Sequence, residues 1–135
     1  MTQEDKDLLL RDLCARLPYG MKVQYQVGSQ LPDIKVFNGK QYDELRTGSY
    51  LDDWLKCTFK PYLFPLSSMT EEQKYICPIG VGNLETFIEK ESWAYLELSF
   101  DSILRFIDWL NKNHFDYRGL IEKGLAIDCT NLNIY

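Results

Sequence analysis

The sequence predicts an α+β fold: a single domain spanning residues 1–135, with a mainly antiparallel sheet of four to five strands packed against two main helices. Three observations carry this expectation. The segments Thr2 to Leu17 and Asp101 to Asn113 repeat apolar residues at helical spacing. Met21, Val23, Tyr25 and Val27 alternate with Lys22, Gln24 and Gln26, the period of a half-buried strand. Asn38-Gly39 is the strongest hairpin-turn signal in the chain, because both residues tolerate a left-handed backbone. With 45% apolar residues in 135, a core can form without metal or disulfide support.

Each element has a local reason. Thr2 caps the first helix, with Asp5 three residues on as a variant capping box. Leu9, Leu10, Leu13, Cys14 and Leu17 form its apolar face, while Asp5, Asp7, Arg11, Asp12 and Arg16 fall mostly opposite. Pro18 and Gly20 stop it. A second strand is expected from Asp33 to Phe37 and a third from Gln41 to Arg46. Between Ser49 and Lys60 the pattern fits a short helix through Leu51, Trp54 and Leu55, or a strand at Cys57 to Phe59. Pro61 and Pro65 exclude a regular helix and a central strand, so Lys60 to Met69 should run extended across the domain.

Thr70 and Gln73 form a capping box that opens a short helix, Glu71 to Ile76. Gly80 and Gly82 read as loop formers; no Gly-Lys-Ser/Thr or third glycine makes them a phosphate loop. Leu84, Phe87 and Ile88 suggest a helical turn or more. Trp93 to Leu98 has a strand composition. Ser99 or Asp101 caps the longest helix, and Asn113 suits its left-handed end. Gly124 precedes a last strand, Leu125 to Cys129.

Composition narrows the function classes. The net charge of −5 and the lack of a basic footprint argue against non-specific nucleic-acid binding. No apolar run is long enough to span a bilayer, so no membrane role is expected. Cys14, Cys57, Cys77 and Cys129 include no close pair, and the single histidine cannot complete a zinc site, so neither metal nor cofactor is expected. The polar segment Met1 to Asp7 is no signal peptide; the expected setting is the cytoplasm, with reduced, mostly buried thiols.

The run from Trp109 to Ala126 holds the densest mixture of chemistry. His114 and Asp116 could act as a general-base pair if Ser67, Ser68 or a cysteine lay within reach. In the simpler role, Asp116 holds backbone amides, His114 closes the helix end and Phe115 plugs the core. The carboxylate pairs Asp52-Asp53, Glu71-Glu72 and Glu89/Glu91 do not converge. Nine tyrosines suit a contact surface; aromatic rings stack on nucleobases, and Arg118 or Lys123 could hold phosphate. The candidate binding residues are therefore His114, Asp116, Tyr117, Arg118, Tyr62, Ser67 and Ser68.

Two segments also carry a resemblance. Lys60-Pro61-Tyr62-Leu63 with Pro65 to Glu72, and Asp108 to Ala126, resemble a large set of short uncharacterised proteins of gut Bacteroidales and their phages and prophages. The Thr2 to Tyr19 helix is similar to the same set, and the likeness covers about a third of the chain. It implies a phage or mobile-element setting and brings no activity, cofactor or catalytic residue with it. The leading expectation is a non-enzymatic binding protein, an anti-defence protein that sequesters a small nucleotide-like ligand or occludes a host or phage protein. The alternatives are a small hydrolase or transferase using His114 and Asp116, and an interaction module that self-associates as a homo-oligomer.

Overall fold

Side-chain caps at Thr2, Thr70 and Ser99 start three helices where the sequence places them. The computed structural model describes residues 2–27, 29, 31–38 and 57–135. Helix α1 spans Gln3–Arg16; the Thr2 hydroxyl accepts the Asp5 amide at 3.1 Å, and the Asp5 carboxylate accepts the Thr2 amide at 3.3 Å. Its buried stripe is Leu9, Asp12, Leu13 and Arg16, the spacing of one helical face. This corrects the expected polar face: Asp12 and Arg16 are fully buried, while Cys14 is exposed. The charges tolerate burial because Arg16 Nε donates to Asp12 Oδ2 at 2.9 Å, one helical turn away. Gly20, at φ +66°, then ends the 3-10 turn Leu17–Tyr19 and releases the chain into the sheet.

Strand β1, Lys22–Val27, pairs antiparallel with β2, Asp33–Val36, and with β3, Cys57–Pro65. Two short strands, β4 at Phe115–Asp116 and β5 at Ile127–Asp128, join β3 in parallel. The fold is α+β, with a five-stranded sheet ordered β2-β1-β3-β4 and β5 also on β3. Gly39 of the expected Asn38-Gly39 turn, the Gln41 to Arg46 strand and the alternative helix through Trp54 lie outside the described residues.

The proline-bearing segment is a central strand after all, and its register shows why it can be. Residues Cys57 to Pro61 pair with β1, and the ladder stops at Val23 opposite Pro61. From Tyr62 onward the hydrogen bonding switches to β5 and then to β4, ending at Pro65 opposite Asp116. Each proline sits where a ladder ends, so neither interrupts one.

After the 3-10 turn Leu66–Ser68, helix α2 spans Glu71–Ile76 under the Thr70/Gln73 capping box. Helix α3 spans Val81–Lys90; Gly80, at φ +80°, precedes it and Gly82 lies in its first turn rather than in a loop. Residues Trp93–Tyr95 form a 3-10 turn, not the expected strand. Ser92 caps that turn by accepting the Ala94 amide at 3.2 Å, and Trp93 packs on Phe87 and Phe106 with ring centroids 4.6 and 5.6 Å away. Local capping and ring packing here outweigh β composition. Helix α4, Phe100–Lys112, starts at Ser99, whose hydroxyl accepts the Ser102 amide at 3.2 Å.

The apolar interior has two parts. One joins α1 to the sheet through Leu9, Leu13, Met21, Val23, Phe59 and Leu63. The other joins α3 and α4 through Leu84, Phe87, Phe106, Leu110 and Phe115. Among the described residues no helix is long and apolar enough to cross a membrane.

Candidate functional site

The two cores meet at the segment that follows α4. His114, at φ +62°, takes the left-handed position expected for Asn113, whose φ is −95°. Its carbonyl accepts the Phe64 amide at 2.8 Å, which turns the chain onto β3 as β4. Phe115 is buried against Trp109 and Phe64. Asp116 then accepts the Leu120 amide on Oδ1 at 3.0 Å and the Ile121 amide on Oδ2 at 2.9 Å. Both carboxylate oxygens are thereby engaged in shaping the 116–122 turn, whose Gly119 has φ +74°.

A buried ion cluster ties this turn to α1. Arg118 Nη1 donates to Asp12 Oδ1 at 2.8 Å, while Arg16 holds the other oxygen. Arg16 Nη2 donates to the Phe115 carbonyl at 2.6 Å. Both guanidinium groups lie over the Tyr117 ring, at 5.4 Å for Arg16 and 4.5 Å for Arg118. Tyr117 donates to Asn111 Oδ1 at 2.9 Å, and burial pushes its phenol above the ordinary range.

Beside this turn opens a cavity of about 490 Å³. One wall is Tyr117, Arg118 and Ile121; the facing wall is Phe87, Ile88 and Trp93; Pro65 to Ser67 close the end nearest β3. Glu91 and Glu122 stand at its rim and are exposed. A volume of this order suits a small organic molecule.

The cavity gathers Ser67, Asp116, Tyr117 and Arg118 from the predicted candidates. Tyr62, Ser68 and His114 lie elsewhere. Tyr62 is buried, with its phenol raised by burial, and its carbonyl accepts the Tyr135 hydroxyl at 3.0 Å. Ser68 donates to the Pro65 carbonyl at 2.7 Å. The His114 ring stacks on Tyr135 with centroids 3.8 Å apart and planes within 8°. Burial, then the charges of Arg16 and Lys22, lower its pKa to about 4. Its Nδ1 and Arg16 Nη1 are buried with no hydrogen-bond partner among the described residues. His114 and Asp116 share no hydrogen bond, since Asp116 is committed to two amides.

Sequence reasoning does not single out Asp12, Arg16, Trp93 or Glu122, and it weighs Glu91 only in a carboxylate pair with Glu89. Asp12 and Arg16 did carry a signal, since they continue the helical stripe of Leu9 and Leu13. Glu91 and Glu122 line one cavity only through the tertiary fold, which no local pattern encodes. Among the described residues no group of three His, Cys, Asp or Glu side chains could hold a metal ion. The buried thiols Cys77 and Cys129 are pushed upward by burial, Cys129 to about 11 with help from Asp128.

Compared with family models, with curated proteins and with solved structures, the chain matches none of them.

Proposed function

We propose that this chain is a binding protein that takes up a small ring-bearing molecule in the cavity between α3 and the 116–122 turn. The observation that carries this reading is the aromatic lining of a 490 Å³ cavity whose one wall is anchored to the core through Arg118 and Asp12. Trp93, partly exposed and backed by Phe87, offers a ring, Tyr117 carries the two guanidinium groups, and Ile88 and Ile121 offer apolar edges. These walls support the ring half of the nucleotide-like ligand anticipated from composition. The resemblance to phage and prophage proteins supports a mobile-element setting, in which sequestering a host signal or occluding a host protein would be the anti-defence act. The geometry favours the small ligand, because a cavity of this size is a concave feature that a flat protein surface would leave unfilled.

Trp93 makes the test direct, since it lines the cavity and is partly exposed. The intrinsic fluorescence of the chain should change when a panel of nucleosides, nucleotides and small aromatic amines is titrated in. Trp93→Phe should remove that change while binding persists by calorimetry. If no member of the panel alters fluorescence or melting temperature, the reading fails.

A further inference from the structure

The geometry points to a ligand that carries a positive charge on an apolar or ring-bearing body, a substituted ammonium in chemical class. This inference rests on the cavity being a binding site and names what it selects. The charges around it are unequal in their freedom. Arg118 is the cation of the lining, and it is already bound to Asp12 at 2.8 Å. Asp116 is a lining carboxylate whose oxygens are held by two amides. Glu91 and Glu122 are different: both are exposed at the rim, and neither side chain has a hydrogen bond or ion pair among the described residues. The lining therefore offers two uncommitted negative charges and no uncommitted positive one. Lys90, the neighbour of Glu91, lies over the Tyr95 ring at 5.6 Å and is not part of the lining.

Tyr117 already carries two guanidinium groups and Phe87 is buried, so the accessible ring is Trp93; a partly exposed indole beside two free carboxylates is an arrangement that holds organic cations. The ring quadrupole attracts the cation, and the carboxylates add long-range attraction. A phosphate entering the same space would meet two carboxylates and a guanidinium that must first leave Asp12. Such like-charge contact selects against anions.

Glu91 also takes an uncommon backbone conformation. It ends α3 at φ +50°, a left-handed position that glycine occupies without strain. A glutamate there sits against local backbone preference.

The test uses the full chain with three probes: choline, its uncharged all-carbon isostere, and adenosine monophosphate. Ligand-observed NMR and tryptophan fluorescence report binding. Choline is expected to bind about tenfold more tightly than the isostere, with Trp93→Leu weakening it about tenfold through loss of the cation–π contact. Glu91→Gln and Glu122→Gln should each weaken it about twofold to fivefold, the range of an exposed charge pair. Glu91→Gly should raise the melting temperature yet weaken choline binding, opposite signs that a purely structural residue would not give. If the isostere or adenosine monophosphate binds as tightly as choline, the cation inference is overturned and the cavity remains a binding site. If none of the three perturbs Trp93, the cation inference falls, and the cavity reading falls with it only if the wider panel of nucleosides, nucleotides and aromatic amines is silent too.

Discussion

Mild acid should destabilise this protein through His114. The folded chain holds the imidazole near a pKa of about 4, against 6.5 for the free side chain, because it is buried and faces Arg16 and Lys22. The unfolded chain therefore takes up a proton that the folded chain refuses. The stability contributed by the neutral imidazole is complete above about pH 6.5 and is lost as the pH falls toward about 4. At roughly 1.4 kcal/mol per pH unit, the full span sets a ceiling of about 3 kcal/mol, of which about 2 kcal/mol should be gone by about pH 5. His114→Asn is the matched control. Asparagine tolerates the positive φ of 62° and does not titrate. At neutral pH it should cost about 1 kcal/mol, since the stack on Tyr135 at 3.8 Å is lost. Urea denaturation of both proteins across the acid range is the assay. Carboxylates common to both proteins cancel in the difference. The wild-type advantage should shrink on acidification and reverse near about pH 6. Curves that stay parallel from neutral pH down to about pH 4.5 would refute the burial argument, because no proton would then distinguish the two states.

Other perturbations have comparable definition. Asp12→Ala leaves the fully buried Arg16 without its carboxylate and should lower stability by about 3–5 kcal/mol in chemical denaturation, whereas the double change Asp12→Leu with Arg16→Met should recover most of it. Thr70→Ala removes the oxygen that accepts the Gln73 amide and should cost about 1 kcal/mol by the same measurement. In the native protein a thiol reagent should modify Cys14, which is exposed, well before Cys77 and Cys129, and mass mapping at stepwise urea should bring the buried pair in only at unfolding.

What could be read from residues alone follows a physical division. Capping boxes act within a few residues, so Thr2, Thr70 with Gln73, and Ser99 mark the starts of α1, α2 and α4. The roles of Asp116 and Phe115 are local in the same sense: a turn needs an acceptor for its amides, and a helix end needs an apolar plug. Other features depend on partners far along the chain. Asp12 resembles a solvent-facing charge until Arg118, distant in sequence, donates to its second oxygen. Pro61 forbids a central strand unless the neighbouring ladders change over at that residue, and only the tertiary register shows that they do. Trp93 to Leu98 favours a strand by composition, yet Ser92 and the rings of Phe87 and Phe106 hold its start in a 3-10 turn. The cavity is wholly of this second kind, since α3 and the 116–122 turn meet only in space.

One carboxylate links the core to the cavity, and its two oxygens allow the two to be separated. Asp12 Oδ2 serves Arg16 inside the core, and Oδ1 serves Arg118 in the cavity wall. Removing Asp12 strands a buried guanidinium and loosens the wall together. Removing Arg118 leaves the Asp12–Arg16 pair and the bond from Arg16 to the Phe115 carbonyl intact. Arg118 is also partly exposed, with 18% of its side chain accessible, so its loss should cost only about 1–2 kcal/mol. Arg118→Leu should therefore keep the fold, shown by an unchanged far-ultraviolet circular dichroism spectrum, while altering the cavity beside Tyr117. Collapse of the fold in that variant would mean that the wall, and not the Asp12–Arg16 pair, holds α1 to the turn.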